Sequence, residues 1–358
     1  MEKKIRMGFI GCGGISYYHI LGTIESPDME VGALCDISPD KMVEKARRFG
    51  VPQEVCYSDH IKMMESGRVD AVSICLPNRF HYQMTLDAIQ RGVPYALEKP
   101  VCCSEAEAKT LFEETKKKGL PNMVCFSYRF KAAARYARHL IQSGQLGTIY
   151  HINGEYLQEW GLPDAAGGKP MALNWRFTKE NSGTGVLGDL GSHMIDLCRF
   201  LTGSEFTRVT ADLGTFIHER FLPGGDKKGV VDVDDYVNII GQMEGPVAVN
   251  LSITRYAYSR GNYQRVEIYG DKGAIRYSLE ENDQLEVNMG NWPMRTGHVW
   301  SAVPVPAEYS SNQMQSFADV VNGCGDGLAA SIYDGWKSQQ IIDGAFAASE
   351  SGVRRNIN

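Results

Sequence analysis

The chain has 358 residues and a net charge of −6, with 43% hydrophobic and 22% charged residues. That is the profile of an ordinary globular protein, long enough for two domains; the acidic balance argues against a nucleic-acid surface, which would show a basic patch or stripe, and no window approaches a membrane span. The nine cysteines include no C-x-x-C pair, and the adjacent Cys102-Cys103 lacks zinc-ligand spacing, so reduced thiols in a cytoplasmic protein are expected, with neither a disulfide framework nor a metal site.

The basic residues Lys3, Lys4 and Arg6 stand at the start of an apolar run too short for a signal peptide. That run, Ile5–Ile10, reads as a strand, and Gly11-Cys12-Gly13-Gly14-Ile15-Ser16 follows it. A helical pattern covers Tyr17–Ser26, and a second apolar run, Val31–Cys35, ends in Asp36. Strand, glycine turn, helix, strand and acid in this order are the fingerprint of a dinucleotide site. Gly11 would permit the tight turn, and Gly13 would let the backbone approach a pyrophosphate. Gly14 and Ile15 would open the helix whose N–H groups face it. Asp36 would accept hydrogen bonds from the adenosine ribose. Ser16 stands where the third glycine is usual, and it is small enough for close packing. A carboxylate at 36, followed by Ile37 and not Arg, favours NAD over NADP.

The pattern then repeats. Ser38-Pro39 opens a helix running to Phe49, Tyr57 closes a short extended piece, and Ser58 is expected to cap a helix through Glu65. Asp70–Leu76 is a buried strand, followed by Pro77-Asn78 and a helix from Phe80 to Gln90. Val93–Leu97 is the next strand. Ser104 and Glu107 form a capping box for a helix ending at Gly119, and Met123–Phe126 is another strand. This alternation predicts a doubly wound parallel sheet, which binds ligands beyond the carboxyl ends of its strands. Leu76, Pro77, Asn78, His81, Glu98 and Lys99 fall at such ends and are the further cofactor-binding candidates.

Lys99 sits in Leu97-Glu98-Lys99-Pro100, where a nicotinamide would lie. Near a cationic ring, a half-buried ammonium is disfavoured, and the lysine can then exchange a proton. Pro100 also allows a cis bond after Lys99. The other chemical constellation is Gly185 to Leu197. Asp189 and His193 are four apart and would share a helix face, with Asp196 nearby. A carboxylate beside histidine fixes its tautomer and stabilises imidazolium, as a base requires.

From Tyr128 the βα rhythm stops. A helix is expected over Phe130–Gln142, an extended run over Gly147–Tyr156 and a polar loop over Trp160–Met171. A helix carries His193 to Thr202-Gly203. Extended runs follow at Val209–Phe216, Tyr236–Met243, Val247–Thr254, Gln264–Tyr269, Ala274–Ser278 and Gln284–Asn288, with connections that suggest antiparallel pairing. Two helices, Gln313–Asn322 and Ile332–Ser349, close the chain. Substrate-binding candidates are Tyr128, Arg129, Trp175 and Arg176, with Tyr156, Trp160, Asn174 and Tyr236 behind them. Aromatic faces and amide or guanidinium donors suit a polyhydroxylated ring.

Gly-Cys-Gly-Gly-Ile with His19, Cys-Asp-Ile at 35–37, Leu-Pro-Asn with His81, Glu-Lys-Pro at 98–100 and Gly-Asp-Leu-Gly-Ser-His at 188–193 together resemble the Gfo/Idh/MocA oxidoreductases, over the whole chain. The resemblance implies a Rossmann domain over 1–127. It implies an α+β domain over 128–358 with a large open, mostly antiparallel sheet, which in this family commonly packs on another subunit. A homo-oligomer, a dimer or tetramer, is therefore expected. The resemblance also implies His193 as acid/base with Asp189, and Lys99 as the residue that binds the substrate hydroxyl and tunes proton transfer. The expected function is NAD-dependent hydride transfer with a secondary alcohol of a sugar, sugar derivative or cyclic polyol. The alternatives are a redox-assisted glycoside-cleaving enzyme with tightly held NAD, and a non-catalytic NAD sensor.

Overall fold

The computed structural model describes residues 3–162, 171–280, 283–289 and 299–357. Most of the loop expected at 160–171 lies outside them. Two compact units divide the chain, Met1–Ser127 with Ser311–Lys337, and Tyr128–Ser310 with Ser338–Asn358.

The first unit runs β1 (Ile5–Ile10), α1 (Ser16–Glu25), β2 (Met29–Cys35), α2 (Pro39–Phe49), β3 (Cys56–Tyr57), α3 (His60–Glu65), β4 (Ala71–Ile74), α4 (His81–Arg91), β5 (Tyr95–Leu97), α5 (Glu105–Lys118) and β6 (Asn122–Val124). Its strands pair in parallel in the order β3-β2-β1-β4-β5-β6. Every residue of β4 is buried, as expected of a strand covered on both faces. The strand order reverses between β1 and β4, and ligands of such sheets bind at that switch point.

Two helix starts differ from the sequence expectation, and a third, the Ser104 capping box, is found. Asp59, and not Ser58, caps α3, its Oδ1 accepting from the Ile61 and Lys62 amides, because the helix begins one residue later. Ser38 occupies the N-cap of α2 without a side-chain capping bond; its own amide donates to Asp36 Oδ1. Ser104 Oγ accepts from the Glu107 amide, while the Glu107 carboxylate reaches back to the amide of Cys103.

Residues 311–337 also depart from expectation, packing with the first unit and not the second. The helix Gln313–Val321 buries Met314, Phe317 and Ala318. Asn312 donates to the Gly22 carbonyl at the end of α1, and the Val124 amide of β6 donates to the Ala330 carbonyl. Sequence order is overridden here by an apolar face that finds its cover on the earlier sheet.

The second unit contains α6 (Ala132–Gln142), β7 (Ile149–Leu157), α7 (Lys179–Ser182), α8 (Ser192–Thr202), β8 (Phe206–Gly214), β9 (Glu219–Phe221), β10 (Lys228–Val230), β11 (Tyr236–Met243), β12 (Ala248–Thr254), β13 (Tyr263–Gly270), β14 (Gly273–Ser278), β15 (Gln284–Met289) and β16 (Ser301–Ala302), with β17 (Arg355–Asn356) last. Nine strands form one sheet in the order β16-β15-β14-β13-β7-β12-β11-β8-β17, and β9-β10 is a separate hairpin. Among the described residues of this sheet, pairing is antiparallel except between β7 and β12, which run parallel. A purely antiparallel reading of the connections misses this, because β7 enters the sheet between two strands that follow it much later. Along β12 exposed and buried residues alternate, so one face of the sheet is covered and the other is open.

Candidate active site

Gly11 leaves β1 with φ 98°. A Cβ there would lie 2.3 Å from the Cys75 carbonyl oxygen beyond β4, so the position needs glycine for its backbone and for its space. Around Gly13 and Gly14, in contrast, a Cβ would meet nothing within 4 Å. The outer side of the loop is thus open. Its inner side is tied down: Ser16 Oγ donates to the Gly13 carbonyl at 2.8 Å, and Lys45 Nζ donates to the same oxygen at 3.0 Å. Ser16 therefore does more than replace a small glycine, since it closes the loop. At the start of α1, Ile15 offers no side-chain cap, and the first turn holds no acidic residue. The Tyr17 and Tyr18 amides close turns on the Gly14 and Ile15 carbonyls, so an anion would be met by the helix's positive end and by the loop amides that precede them. Asp36 Oδ2 accepts from the Cys12 amide at 2.7 Å, and Oδ1 from Ser38; each oxygen keeps a further lone pair. Burial, and then the Asp36 charge, push the Cys12 thiol up to about 12, so it stays neutral. Ile37 is 89% exposed beside Asp36. An open glycine loop, an uncapped helix start and a free-edged carboxylate fit a dinucleotide. Gly11→Ala is expected to abolish that fit and to lower the thermal midpoint of the protein. A variant that titrates NADH fluorescence like the parent would refute this.

At the end of β5, the Lys99-Pro100 bond is cis. Lys99 is half-buried and Glu98 buried. Glu98 Oε1 lies 2.8 Å from His19 Nε2, and Glu98 Oε2 accepts from the Lys99 amide at 3.2 Å. His19 Nδ1 lies 2.8 Å from Ser73 Oγ. Burial alone would discharge His19, but Cys75 and Glu98 outweigh it and hold the ring's pKa well above its ordinary value. Burial likewise opposes the Glu98 carboxylate, and His19, by hydrogen bond and charge, holds its pKa below the usual range. The Cys125 thiol shares this pocket, its sulfur within 4.8 Å of the His19 and Glu98 donor atoms. His81 is fully buried, with ring nitrogens 2.8 Å from the Pro100 and Leu76 carbonyl oxygens. It joins the ends of β4 and β5 and presents no exposed atom to a cofactor, unlike half-buried Leu76 and Pro77. Asn78 is 5% exposed.

In the second unit, Asp189 and His193 do not lie on one regular helix. Leu187–Gly191 is a π-helical turn that leads into α8, so the four-residue spacing crosses a change of helix type. Such turns are rare and often functional. Asp234 grips the approach to this turn, its carboxylate accepting from the Gly185 amide at 2.6 Å and the Leu187 amide at 2.7 Å. A Cβ on Gly185 would lie 1.9 Å from the Asp234 carbonyl oxygen. Asp234 was no candidate in the sequence, and nothing local marks it. Asp234→Ala should leave two buried amides without acceptors, costing about 2–6 kcal/mol in all, and should cut turnover by moving Asp189. Thermal denaturation and kcat measure the two effects.

Asp189 is half-buried, with Arg176 Nε 3.7 Å from its Oδ2; the Arg176 guanidinium lies 4.4 Å over the Trp175 ring. His193 is 7% exposed. The Tyr128 ring meets it edge-on with centroids 4.5 Å apart, and Tyr156 is 6.3 Å away. The two tyrosine hydroxyls are 2.5 Å apart and each lies within hydrogen-bond reach of Asn262 Oδ1; with one proton apiece, one hydroxyl donates to the other, which donates to the amide oxygen. Gln158 Nε2 donates to the same oxygen, and Trp160 Nε1 donates to Gln158 Oε1. Gln158 and Asn262 were missed in the sequence. The strand period would have found Gln158, two residues beyond Tyr156; Asn262 carries no such signal. The other candidates lie elsewhere. Arg129 is buried, with Nε and Nη2 on the Asp196 carboxylate at 2.8 and 2.6 Å. This commits Arg129 to an internal ion pair with Asp196. Asn174 caps a short turn by accepting from the Arg176 amide. The Tyr236 hydroxyl donates to Asp212, and its ring stacks on Phe216.

Residues 5–126 match the oxidoreductase family with an NAD-binding Rossmann fold, and residues 134–276 match the GFO/IDH/MocA C-terminal domain. The chain belongs to the Gfo/Idh/MocA family of oxidoreductases, and its first unit is an NAD-binding Rossmann domain. It is 32% identical over 305 residues to levoglucosan dehydrogenase of Pseudarthrobacter phenanthrenivorans, covering 80% of this chain and 76% of that protein. It is 27% identical over 276 residues to scyllo-inositol 2-dehydrogenase (NAD(+)) of Bacillus subtilis, covering 77% and 74%. The solved structure of levoglucosan dehydrogenase in complex with NADH and L-sorbose superposes with a TM-score of 0.90 at 28% identity, over 99% of each chain. Among the described residues, no helix is long and apolar enough to cross a membrane.

Proposed function

We propose that the protein is an NAD-dependent dehydrogenase acting on a secondary alcohol of a sugar, sugar derivative or cyclic polyol. The observation that carries this reading is that a chain of this family retains Lys99, Asp189 and His193 together with a glycine loop and Asp36 that fit NAD. NAD, when bound, supplies the hydride acceptor. His193 takes the proton of the reacting hydroxyl, and Asp189 stabilises the imidazolium that results. By the family's Glu-Lys-Pro motif, Lys99 binds a substrate hydroxyl and steadies its oxygen as negative charge develops. Tyr128, Tyr156, Gln158 and Asn262 fix one wall around His193 by their shared hydrogen bonds, while Trp175 and Arg176 form a stacked pair beside Asp189. Aromatic faces and fixed donors of this kind suit a ring rich in hydroxyls. Arg129 serves this site indirectly, through Asp196 on α8.

Asp36 carries the preference for NAD over NADP. Asp36→Ala should weaken NADH by about 10–100-fold, the worth of charged hydrogen bonds to ribose hydroxyls, and narrow the gap to NADPH. Fluorescence titration with both nucleotides decides it; an unchanged NADH affinity rejects the assignment. The protein works as a homo-oligomer, a dimer or tetramer, using the open face of the nine-stranded sheet, where Asn238, Ile240, Asn250 and Ser252 are exposed. Its nine free cysteines suit the reducing cytoplasm.

The experiment that tests the activity is nicotinamide absorbance with purified protein, added NAD and a panel of inositols, hexoses, anhydro-sugars, uronic acids and glycosides. Growth of the reduced-cofactor signal with one compound supports the dehydrogenase. Release of sugar from a glycoside with no net change in cofactor would replace it with the glycoside-cleaving reaction.

A further inference from the structure

We infer that His19 is a positioning residue for Lys99, acting through the Glu98 carboxylate to hold the backbone from which the lysine side chain projects. The inference rests on the proposed part of Lys99 in the reaction. Its geometry lies wholly within the first unit. His19 belongs to α1, the helix that opens behind the glycine loop. Its ring spans Ser73 of β4 and Glu98 beyond β5. The second oxygen of Glu98 accepts from the Lys99 amide. His81, from α4, adds its contacts to the Pro100 and Leu76 carbonyls on the other side of the same corner. The peptide bearing Lys99 is therefore held by two buried imidazoles, one acting through a carboxylate.

A buried carboxylate without a partner is strongly disfavoured, and it normally protonates instead. His19 is 3% exposed and Glu98 8%, so each needs the other. If His19 lost its charge or its N–H, Glu98 would take up a proton. One oxygen would then become a donor, and the acceptor of the Lys99 amide would be weakened. The groups facing this pair are few. Cys75 and Cys125 lie at the ends of β4 and β6, Ser73 lies below, His81 lies on α4, and Lys99 follows Glu98 directly. Burial, then Glu98 and Cys75, push the Cys125 thiol well up, and burial draws His81 down. With His19 in place, Glu98 stays an acceptor for the Lys99 amide; without it, the protonated Glu98 lets that peptide shift and so changes the surroundings of the Lys99 amine.

The test follows Lys99 directly. Acetylation by acetic anhydride across a pH series, read at the Lys99 peptide by mass spectrometry, reports the amine's availability without any substrate. For His19→Ala, the proposal expects the Lys99 pH profile to shift by about one pH unit and NADH still to bind. It expects kcat to fall about tenfold or more with little change in KM. His19→Gln, whose amide can still donate to Glu98, should recover most of both. A folded, NADH-binding His19→Ala with the parental Lys99 profile and kcat overturns the proposal. If His19→Ala does not fold, Glu98→Gln replaces it; that amide oxygen cannot serve His19 and the Lys99 amide equally, and the same displacement is expected. An unchanged profile there is equally fatal. One divalent ion per chain in the purified protein, lost on Cys125→Ser, would make His19, Glu98 and Cys125 metal ligands and also overturn it. Should Lys99→Ala leave turnover intact, the assignment of Lys99 to the reaction fails, while the acetylation profile still decides what His19 does.

Discussion

Replacing Lys99 by alanine lowers kcat by about 10²–10⁴-fold, the usual worth of a positioned proton-transfer or charge-stabilising group. That corresponds to about 3–5 kcal/mol of transition-state stabilisation. NADH affinity should hardly move, because the glycine loop, Asp36 and the start of α1 are built without the lysine side chain. The loss should fall on kcat and on kcat/KM together, the signature of an interaction made in the transition state. Steady-state kinetics with the substrate from the sugar panel, alongside an NADH titration, separate the two. Turnover within a few-fold of the parent would remove Lys99 from the mechanism.

His193→Asn should be as damaging, by about 10²–10⁴-fold in kcat, for a different reason. His193 sits at the start of α8 after a π-helical turn, flanked by the Tyr128 ring. Asparagine keeps much of the volume and polarity, so the fold and the tyrosine network should survive. What is lost is the group proposed to accept the hydroxyl proton. An imidazolium cannot accept it, so the parent's rate of alcohol oxidation should fall toward acid pH. The variant should lose that limb, leaving a flatter and much lower profile. A variant that keeps the acid limb would place the base elsewhere, with Tyr128 the first alternative.

Much of this could be read before any coordinates. Strand, glycine turn, helix and acid are coded within a few tens of residues, because phosphate and ribose recognition uses backbone amides and one carboxylate from adjacent elements. The parallel sheet followed from alternating apolar runs and capped helices, each a local signal. The second unit was legible as strands but not as a pairing scheme. The parallel contact of β7 with β12 joins residues about a hundred positions apart, and no local pattern encodes that.

The site divides along the same line. Local sequence marked the candidate residues: Gly11 at a turn, Asp36 at a strand end, Lys99 before proline, Asp189 and His193 between glycines. Tertiary structure decided what those residues touch. It committed Arg129 to Asp196, brought Asp234 from a distant loop onto the turn bearing Asp189, gathered Gln158 and Asn262 around the tyrosines, and set His19 against Glu98 across seventy-nine positions. The physical reason is that buried polar groups must find partners wherever the packed chain supplies them. Those partners come from other strands and helices, so their identity is a property of the folded whole.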